Sequence, residues 1–476
     1  MSSYRFRTAS AVLVALGVTV AGVPLALSAT AAPAAPAAPA GPLQQRVDFN
    51  GDGYEDMVAS VPEGTVSGVK KAGYLAVYLG DAKGISPSRH QIISRKTPDV
   101  PGEPQAGGLF GGGTTADVDG DGFTDMLVRA GVGAPVLLFG GSAGLGTRAA
   151  EFAGRGSAVG DYDGDGRAEV AGVGAGGTTV VLSGDIGADG SVGSTRTALT
   201  EDSGYGYYRG VQAVDMNSDG KDDLLVSSGC DDEPDCGGMS LYLSDGATFT
   251  YVPFKTAAGT LLEHSTVTVG SVNGDAYPDL VHTRRPTGMD SDVDFPSKGG
   301  ALAVVYGGPQ GQNTALTTKW ITQDAAGVPG ADEVGDRLGE STAVRDLDGD
   351  GYGEVVVGLP GEDVGEAPDA GGVLVFKGRS GGITGADTKV IGQSTADIPG
   401  VDEKGDGFGG EVHVVAGAKG VPATLAIGAP GENAGHGGVW LLKGGPSGPL
   451  APGSVSFGEQ TLGLTPSPVR FGGILD

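Results

Sequence analysis

Cysteine is almost missing from this chain: Cys230 and Cys236 are the only two in 476 residues. That count excludes a disulfide-stapled scaffold and a cysteine-rich zinc centre. The pair stands in CDDEPDC and reads as one local disulfide in an oxidising compartment, closing a loop too short to stabilise much. Histidine is nearly as scarce. None of the five (His90, His264, His282, His413, His436) stands in a sequence frame with a nucleophile. Positive charge is short as well, with 30 Lys and Arg against 58 Asp and Glu, a net −28. Such a surface excludes nucleic acid and anionic lipid as partners. Aromatics make up only 6 %, no 3.6-residue periodicity lasts beyond two turns, and 91 residues are glycine. These point to short strands and tight turns.

Only one apolar run approaches membrane-spanning length, Ala11–Leu27. Arg5 and Arg7 precede it and the small-residue site Ala29-Thr30-Ala31 follows. Residues 1–31 are therefore expected to be a signal peptide cleaved near Ala31, with 32–46 an Ala/Pro-rich linker. The remainder, 47–476, is expected to be a secreted, extracellular domain without a membrane span, and a monomer.

Six nine-residue stretches share one acidic pattern: DFNGDGYED (48–56), DVDGDGFTD (117–125), DYDGDGRAE (161–169), DMNSDGKDD (215–223), SVNGDAYPD (271–279) and DLDGDGYGE (346–354). Position 1 is Asp48, Asp117, Asp161, Asp215, Ser271 or Asp346. Position 3 is Asn50, Asp119, Asp163, Asn217, Asn273 or Asp348. Position 5 is Asp52, Asp121, Asp165, Asp219, Asp275 or Asp350. Position 9 is Asp56, Asp125, Glu169, Asp223, Asp279 or Glu354. A flexible turn that gathers hard oxygens in this way suits Ca²⁺; Mg²⁺ prefers a smaller octahedron and Zn²⁺ prefers Cys or His. An EF-hand needs flanking helices and a Glu at position 12, and here strands flank the loops. In the second loop Phe123, at position 7, can offer only its backbone carbonyl. Twenty of the 58 carboxylates occupy these positions. Much of the acidity is thus an inventory of ligands, and metal binding should be coupled to local folding. The second, third and sixth loops carry four carboxylates each. The fifth carries only Asp275 and Asp279 and should be the weakest, giving five or six Ca²⁺ sites.

Each loop leads into an apolar run, as in MVASVP (57–62) and VVVGLP (355–360). A second run follows, usually opened by Gly-Gly, as in GGALAVVYGG (from Gly299) and GGVLVFKG (from Gly371). Seven second runs against six acidic loops imply one degenerate unit, Phe408–Pro430, expected to hold no metal. Residues 320–340 and 390–410 align without gaps at an offset of 70. Units of about 60 residues suit four short strands, the size of a propeller blade.

The order of Phe-Gly, acidic loop, apolar strand, Gly-Ala-Pro and Gly-Gly strand resembles the FG-GAP repeat of integrin α-subunit heads and secreted bacterial proteins. Phe-Gly stands at Phe110, Phe408 and Phe471, with Tyr205-Gly206 and Leu338-Gly339 as variants; Gly-Ala-Pro stands at Gly428–Pro430. The resemblance implies an all-β, seven-bladed β-propeller with calcium-binding loops in six blades. It extends the position-7 carbonyl role of Phe123 to Tyr54, Arg167, Lys221, Tyr277 and Tyr352. The final FGGILD looks like the start of another unit, so the tail is expected to pack beside the first blade and close the ring.

No catalytic set stands out. Ser142 in GGSAG fits a G-x-S-x-G pattern but aligns with the turn residues Ala82 and Pro309. Lys404-Gly405-Asp406 reads as a loop in a repeated frame. Tyr205, Tyr207, Tyr208 and Arg209 are dense for this chain and could stack on sugar rings. The leading expectation is a non-catalytic module binding an extracellular protein or glycan. The alternatives are a secreted hydrolase or lyase acting on polysaccharide or lipid, and a purely structural envelope protein.

Overall fold

The computed structural model describes residues 46–476 apart from 155, 202–205, 231–237, 256–265, 287–294, 296, 317–318 and 419–420. The expected signal peptide and nearly all of the linker lie outside the described residues, as do Tyr205, Cys236 and His264. Among the described residues, helix is confined to one turn at Glu432–Gly435 and one 3-10 turn at Glu459–Leu462. No described helix is long and apolar enough to cross a membrane.

Seven antiparallel sheets of three or four strands follow one another along the chain, with a two-stranded ladder of Gly307–Gly308 and Gly311–Gln312 after the third strand of the fifth. Blade 1 holds Met57–Val61, Tyr74–Tyr78 and His90–Ile93. Blade 2 runs from Gly113–Ala116 to Arg148–Glu151, blade 3 from Ala158–Gly160 to Val192–Thr200, and blade 4 from Gly206–Val214 to Phe249–Val252. Blade 5 has three strands, Thr266–Gly270, Asp279–Arg284 and Ala301–Val305; its fourth is reduced to a single bridge between Leu302 and Ile321. Blade 6 runs from Thr342–Arg345 to Lys389–Ile391 and blade 7 from Glu411–Val415 to Leu450–Phe457. The first strands of successive blades touch in blades 2 to 4 and again in blades 5 to 7, which places them innermost.

Burial explains the sequence pattern. Met57–Val61, Tyr74–Tyr78 and Gly372–Phe376 are buried at every position, because both faces of each sheet meet a neighbouring blade. Such strands read as continuous apolar runs. Val58 packs towards Met126 and Leu138 of blade 2, while Met57 and Ala59 pack towards Val439 and Leu441 of blade 7. The last blade therefore lies against the first.

The C-terminal residues complete that closure. Val58 N–H donates to the Asp476 carbonyl (2.7 Å), Asp476 N–H to Val58 (2.8 Å) and Ser60 N–H to Ile474 (3.0 Å). The tail thus supplies the innermost strand of blade 1 and covers an edge that would otherwise be open.

Phe-Gly and Gly-Gly turn out to be two sides of one contact. Phe110, Phe408 and Phe471 are fully buried, and their N–H groups donate to Ala72, Ala370 and His436 of the preceding blade at 2.9–3.0 Å. Gly371 and Gly437 have positive φ, and a Cβ there would stand 2.2–2.3 Å from the Phe408 or Phe471 carbonyl oxygen. Only glycine lets the backbones approach so closely.

Candidate metal centres

The acidic loops sit beside one another and are joined into a belt. In blades 2 to 6 each connects the first strand to the second. Thr124 N–H donates to Asp48 O (3.0 Å), Asp222 N–H to Asp161 O (2.7 Å) and Gly353 N–H to Ser271 O (2.9 Å), linking loops one to two, three to four and five to six. Ser218 Oγ donates to Ala276 O (2.6 Å), joining four to five. Side chains interlock too: a Cβ on Gly51 would meet the Phe123 ring at 2.7 Å, and one on Gly274 would meet the Tyr352 ring at 2.9 Å. In the first, third and fifth loops the glycine at position 4 therefore makes room for position 7 of the next loop.

Within each loop the carboxylates first organise the backbone. Asp48, Asp117, Asp161, Asp215 and Asp346 each accept the N–H of position 6 at 2.8–2.9 Å. All six position-5 carboxylates, Asp52 to Asp350, accept the N–H of position 7 at 2.8–3.1 Å. These bonds turn the chain so that the remaining lone pairs converge.

Position 9 has a task that sequence reasoning missed. Asp56, Asp125, Asp223 and Asp279 are fully buried. One oxygen of each accepts the N–H of position 2, and the other accepts a backbone N–H at the end of the third strand, from Gly80, Gly140, Ser244 or Gly307. Burial pushes all four up to about 7, against the pull of those N–H donors and with help from neighbouring carboxylates. Glu169 and Glu354 rise to about 7 for the same first reason.

Three loops bring carboxylate oxygens within 4.8 Å of one another: Asp117, Asp119 and Asp125; Asp161, Asp163 and Glu169; Asp346, Asp348 and Glu354. They are the second, third and sixth loops. The first and fourth have Asn50 and Asn217 at position 3, and each Asn instead donates to the position-5 Asp. In the fifth, Asn273 does the same for Asp275.

These donor sets fit a hard divalent cation. Asp119 Oδ1, Glu354 Oε1 and Ser271 Oγ are buried without a hydrogen-bond partner. Oxygens of Asp163 and Glu169 lie within 4.8 Å of each other, a crowding of carboxylates that a proton or a cation between them relieves. In the sixth loop the Lys377 ammonium contacts Asp348 and stands 2.6 Å from Asp350 and 3.4 Å from Glu354. In the second, the Arg148 guanidinium contacts Asp119 and lies 4.0 Å over the Phe139 ring. Neither basic residue was anticipated. The available signal was a lone charge, Phe376-Lys377-Gly378, where blades 2 and 5 read Phe139-Gly140 and Tyr306-Gly307.

The other candidates resolve differently. Ser142 is exposed in a turn closed by Gly144 N–H to Gly141 O (2.7 Å). His282 lies within the strand Asp279–Arg284, edge-on to Phe254, and burial pulls it down to about 3. Burial, with Arg345 nearby, pulls His413 down to about 4. Asp406 is buried and accepts the Glu403 N–H, so Lys404-Gly405-Asp406 is not displayed as a ligand would be. Tyr208 joins the core between blades 3 and 4, whereas Arg209 is exposed and lies over the Tyr207 ring.

Comparison with known proteins identifies a repeat. The FG-GAP repeat model matches residues 47–78 and 338–376, the loop-to-second-run segments of blades 1 and 6. No curated protein matches the sequence. Among solved structures, the rhamnogalacturonan lyase YesW is similar at 13 % identity over 85 % of this chain and 69 % of that one, with a TM-score of 0.33. Two segments of the chain thus match the FG-GAP repeat, on a fold of seven propeller blades.

Proposed function

We propose that this is a secreted, calcium-braced propeller that binds an extracellular protein or glycan without transforming it. The observation that carries the bracing is the set of converging carboxylates in the second, third and sixth loops, with Asp119 Oδ1 and Glu354 Oε1 buried and accepting no hydrogen bond. Ca²⁺ between them would neutralise charge that otherwise opposes the turn. It would also stiffen the linked loops, one with two and three through six. Six ions would return about +12 to a chain of net −28.

Binding is assigned to the face opposite the belt. Tyr207 and Arg209 lie at the start of the blade-4 strand Gly206–Val214, whose other end enters the acidic loop. Arg209 donates to Tyr207 Oη (2.9 Å) and lies 5.2 Å over its ring, a flat surface with one cationic edge. Such a surface suits a sugar ring bearing an acidic group, or an acidic peptide.

A glycan array run beside a hydrolase and lyase panel, with Ca²⁺ and with EGTA, tests the reading. Calcium-dependent retention without turnover, reduced by Tyr207→Ala, is expected. Turnover of any panel substrate would replace binding with catalysis. A calorimetric titration giving no calcium uptake would remove the bracing.

A further inference from the structure

Carboxylate count alone ranks the second, third and sixth loops as equals. Their basic neighbours do not. Lys377 reaches from the end of the strand Gly372–Phe376 into the sixth loop and meets three of its four expected carboxylate ligands, Asp348, Asp350 and Glu354. The Asp348 and Glu354 side chains are only 2 % exposed, so the ammonium sits among groups that water hardly reaches. Arg148, on the outer strand of blade 2, contacts Asp119 and stands 3.9 Å from Asp121. Its stacking on Phe139 holds it there. The third loop is different. Its position-7 residue, Arg167, turns outward to Asp185 (3.8 Å), and the Lys221 stem passes Gly164 while its ammonium pairs with Asp219 (3.3 Å). Among the described residues no basic group forms an ion pair with Asp161, Asp163, Asp165 or Glu169.

Resting on the calcium reading above, we infer that Lys377 and Arg148 are internal competitors for the metal, so that the third loop fills first and the sixth and second fill at higher calcium. A cation entering the sixth loop must displace an ammonium that already neutralises the same oxygens. The affinity is therefore the intrinsic affinity divided by the strength of that ion pair. Where the third loop has nothing to displace, the whole attraction goes to the metal. The chain would then bind calcium in steps: one blade braced constitutively, and two only where calcium is abundant.

The test is loop-resolved. Tyr352 lies in the sixth loop, so Tb³⁺ bound there can be excited through its phenol; because that ring also packs on Gly274 of the fifth loop, every protein in the series carries Asp275→Asn to silence the fifth. Tyrosine-sensitised Tb³⁺ emission is titrated for the full chain, Lys377→Met, Lys377→Gln and each combined with Tyr352→Phe. Lys377→Met keeps the apolar stem, and the Gln variant guards against a packing artefact. Both should shift the Tyr352-dependent component about tenfold tighter, equivalent to ~1.4 kcal/mol. A parallel Ca²⁺ calorimetric titration of Asp163→Asn should lose the tightest step. An unchanged or weakened Tyr352-dependent midpoint in both Lys377 variants overturns the inference while leaving calcium bracing intact. Absence of Tb³⁺ and Ca²⁺ binding in every protein overturns both.

Discussion

Blades 6 and 7 are built on nearly the same frame, yet only one has an acidic loop. Both have four strands in the same order. Both carry a glycine one residue before the end of their second strand, where an added Cβ would stand 1.9 Å from Gly409 O at Gly358 and 1.8 Å from Gly472 O at Gly428. In both, a Gln after the outer segment of the preceding blade donates to a Glu 39 residues on: Gln323 to Glu362 (2.9 Å) and Gln393 to Glu432 (2.7 Å). Between the first two strands, however, blade 6 has DLDGDGYGE and blade 7 has none of it. Blade 7 forms its hairpin regardless. The carboxylates are therefore not a requirement of the fold, which is the strongest physical reason to assign them to a cation.

Blade 7 is not left unsupported. Glu55, at position 8 of the first loop, is buried; one oxygen accepts the Ala416 N–H (2.8 Å) from the loop of blade 7 and the other pairs with Arg345 of blade 6 (2.8 Å). Burial raises the Glu55 carboxyl, and Arg345 and the Ala416 N–H oppose that rise. One side chain thus ties three blades together where the belt of acidic loops is interrupted.

The contrast between the two blades can be broken in graded ways. The largest effect should come from chelation. Each Ca²⁺ site at a hundredfold excess over its Kd contributes about 2.7 kcal/mol, so EGTA should lower the melting temperature by well over ten degrees. Hydrogen exchange should then accelerate around 346–354 and stay unchanged around 416–424. An equal response in both blades would mean that calcium acts elsewhere.

Glu55→Ala comes next, with a loss of about 3 kcal/mol in urea unfolding, since Arg345 would be left without its buried partner. Gly428→Ala should cost a similar amount by forcing the tail away from blade 7, also in the presence of calcium. Asp119→Ala should remove one Ca²⁺ from the calorimetric stoichiometry and about 2.7 kcal/mol at saturating calcium.

The pH dependence has a definite sign. Asp125 and Glu354 titrate at about 7 when folded, against ordinary carboxylate values near 4. The metal-free folded state holds these protons more tightly than the unfolded chain. Its stability is therefore greatest below about pH 4 and falls as pH rises through about 7. In EGTA the melting temperature should drop between about pH 5 and pH 8, and saturating calcium should abolish the drop. Differential scanning calorimetry in the two buffers decides it. Smallest of all, Trp440→Phe should cost about 1 kcal/mol by removing the indole donor to Pro399 O, without altering calcium binding.

Much of this architecture was legible before any coordinates. The acidic loops, the second runs, the missing loop of the last unit and the closing tail are local patterns repeated in order, and repetition overcomes the weakness of each. What escaped were contacts between residues distant in sequence. Nothing near Glu55 announces Arg345, 290 residues away, and nothing near Asp348 announces that Lys377 will point inward. The double duty of position 9 escaped as well, because its third-strand partners stand 15 to 28 residues on.

Composition and repeat order by themselves determined that this chain would be a closed ring of small antiparallel sheets, because glycine, β-branched runs and spacing act within one unit. Only the tertiary structure decided which charges meet. Side-chain ion pairs and buried oxygens depend on how neighbouring units are placed against one another, and no single repeat contains that information.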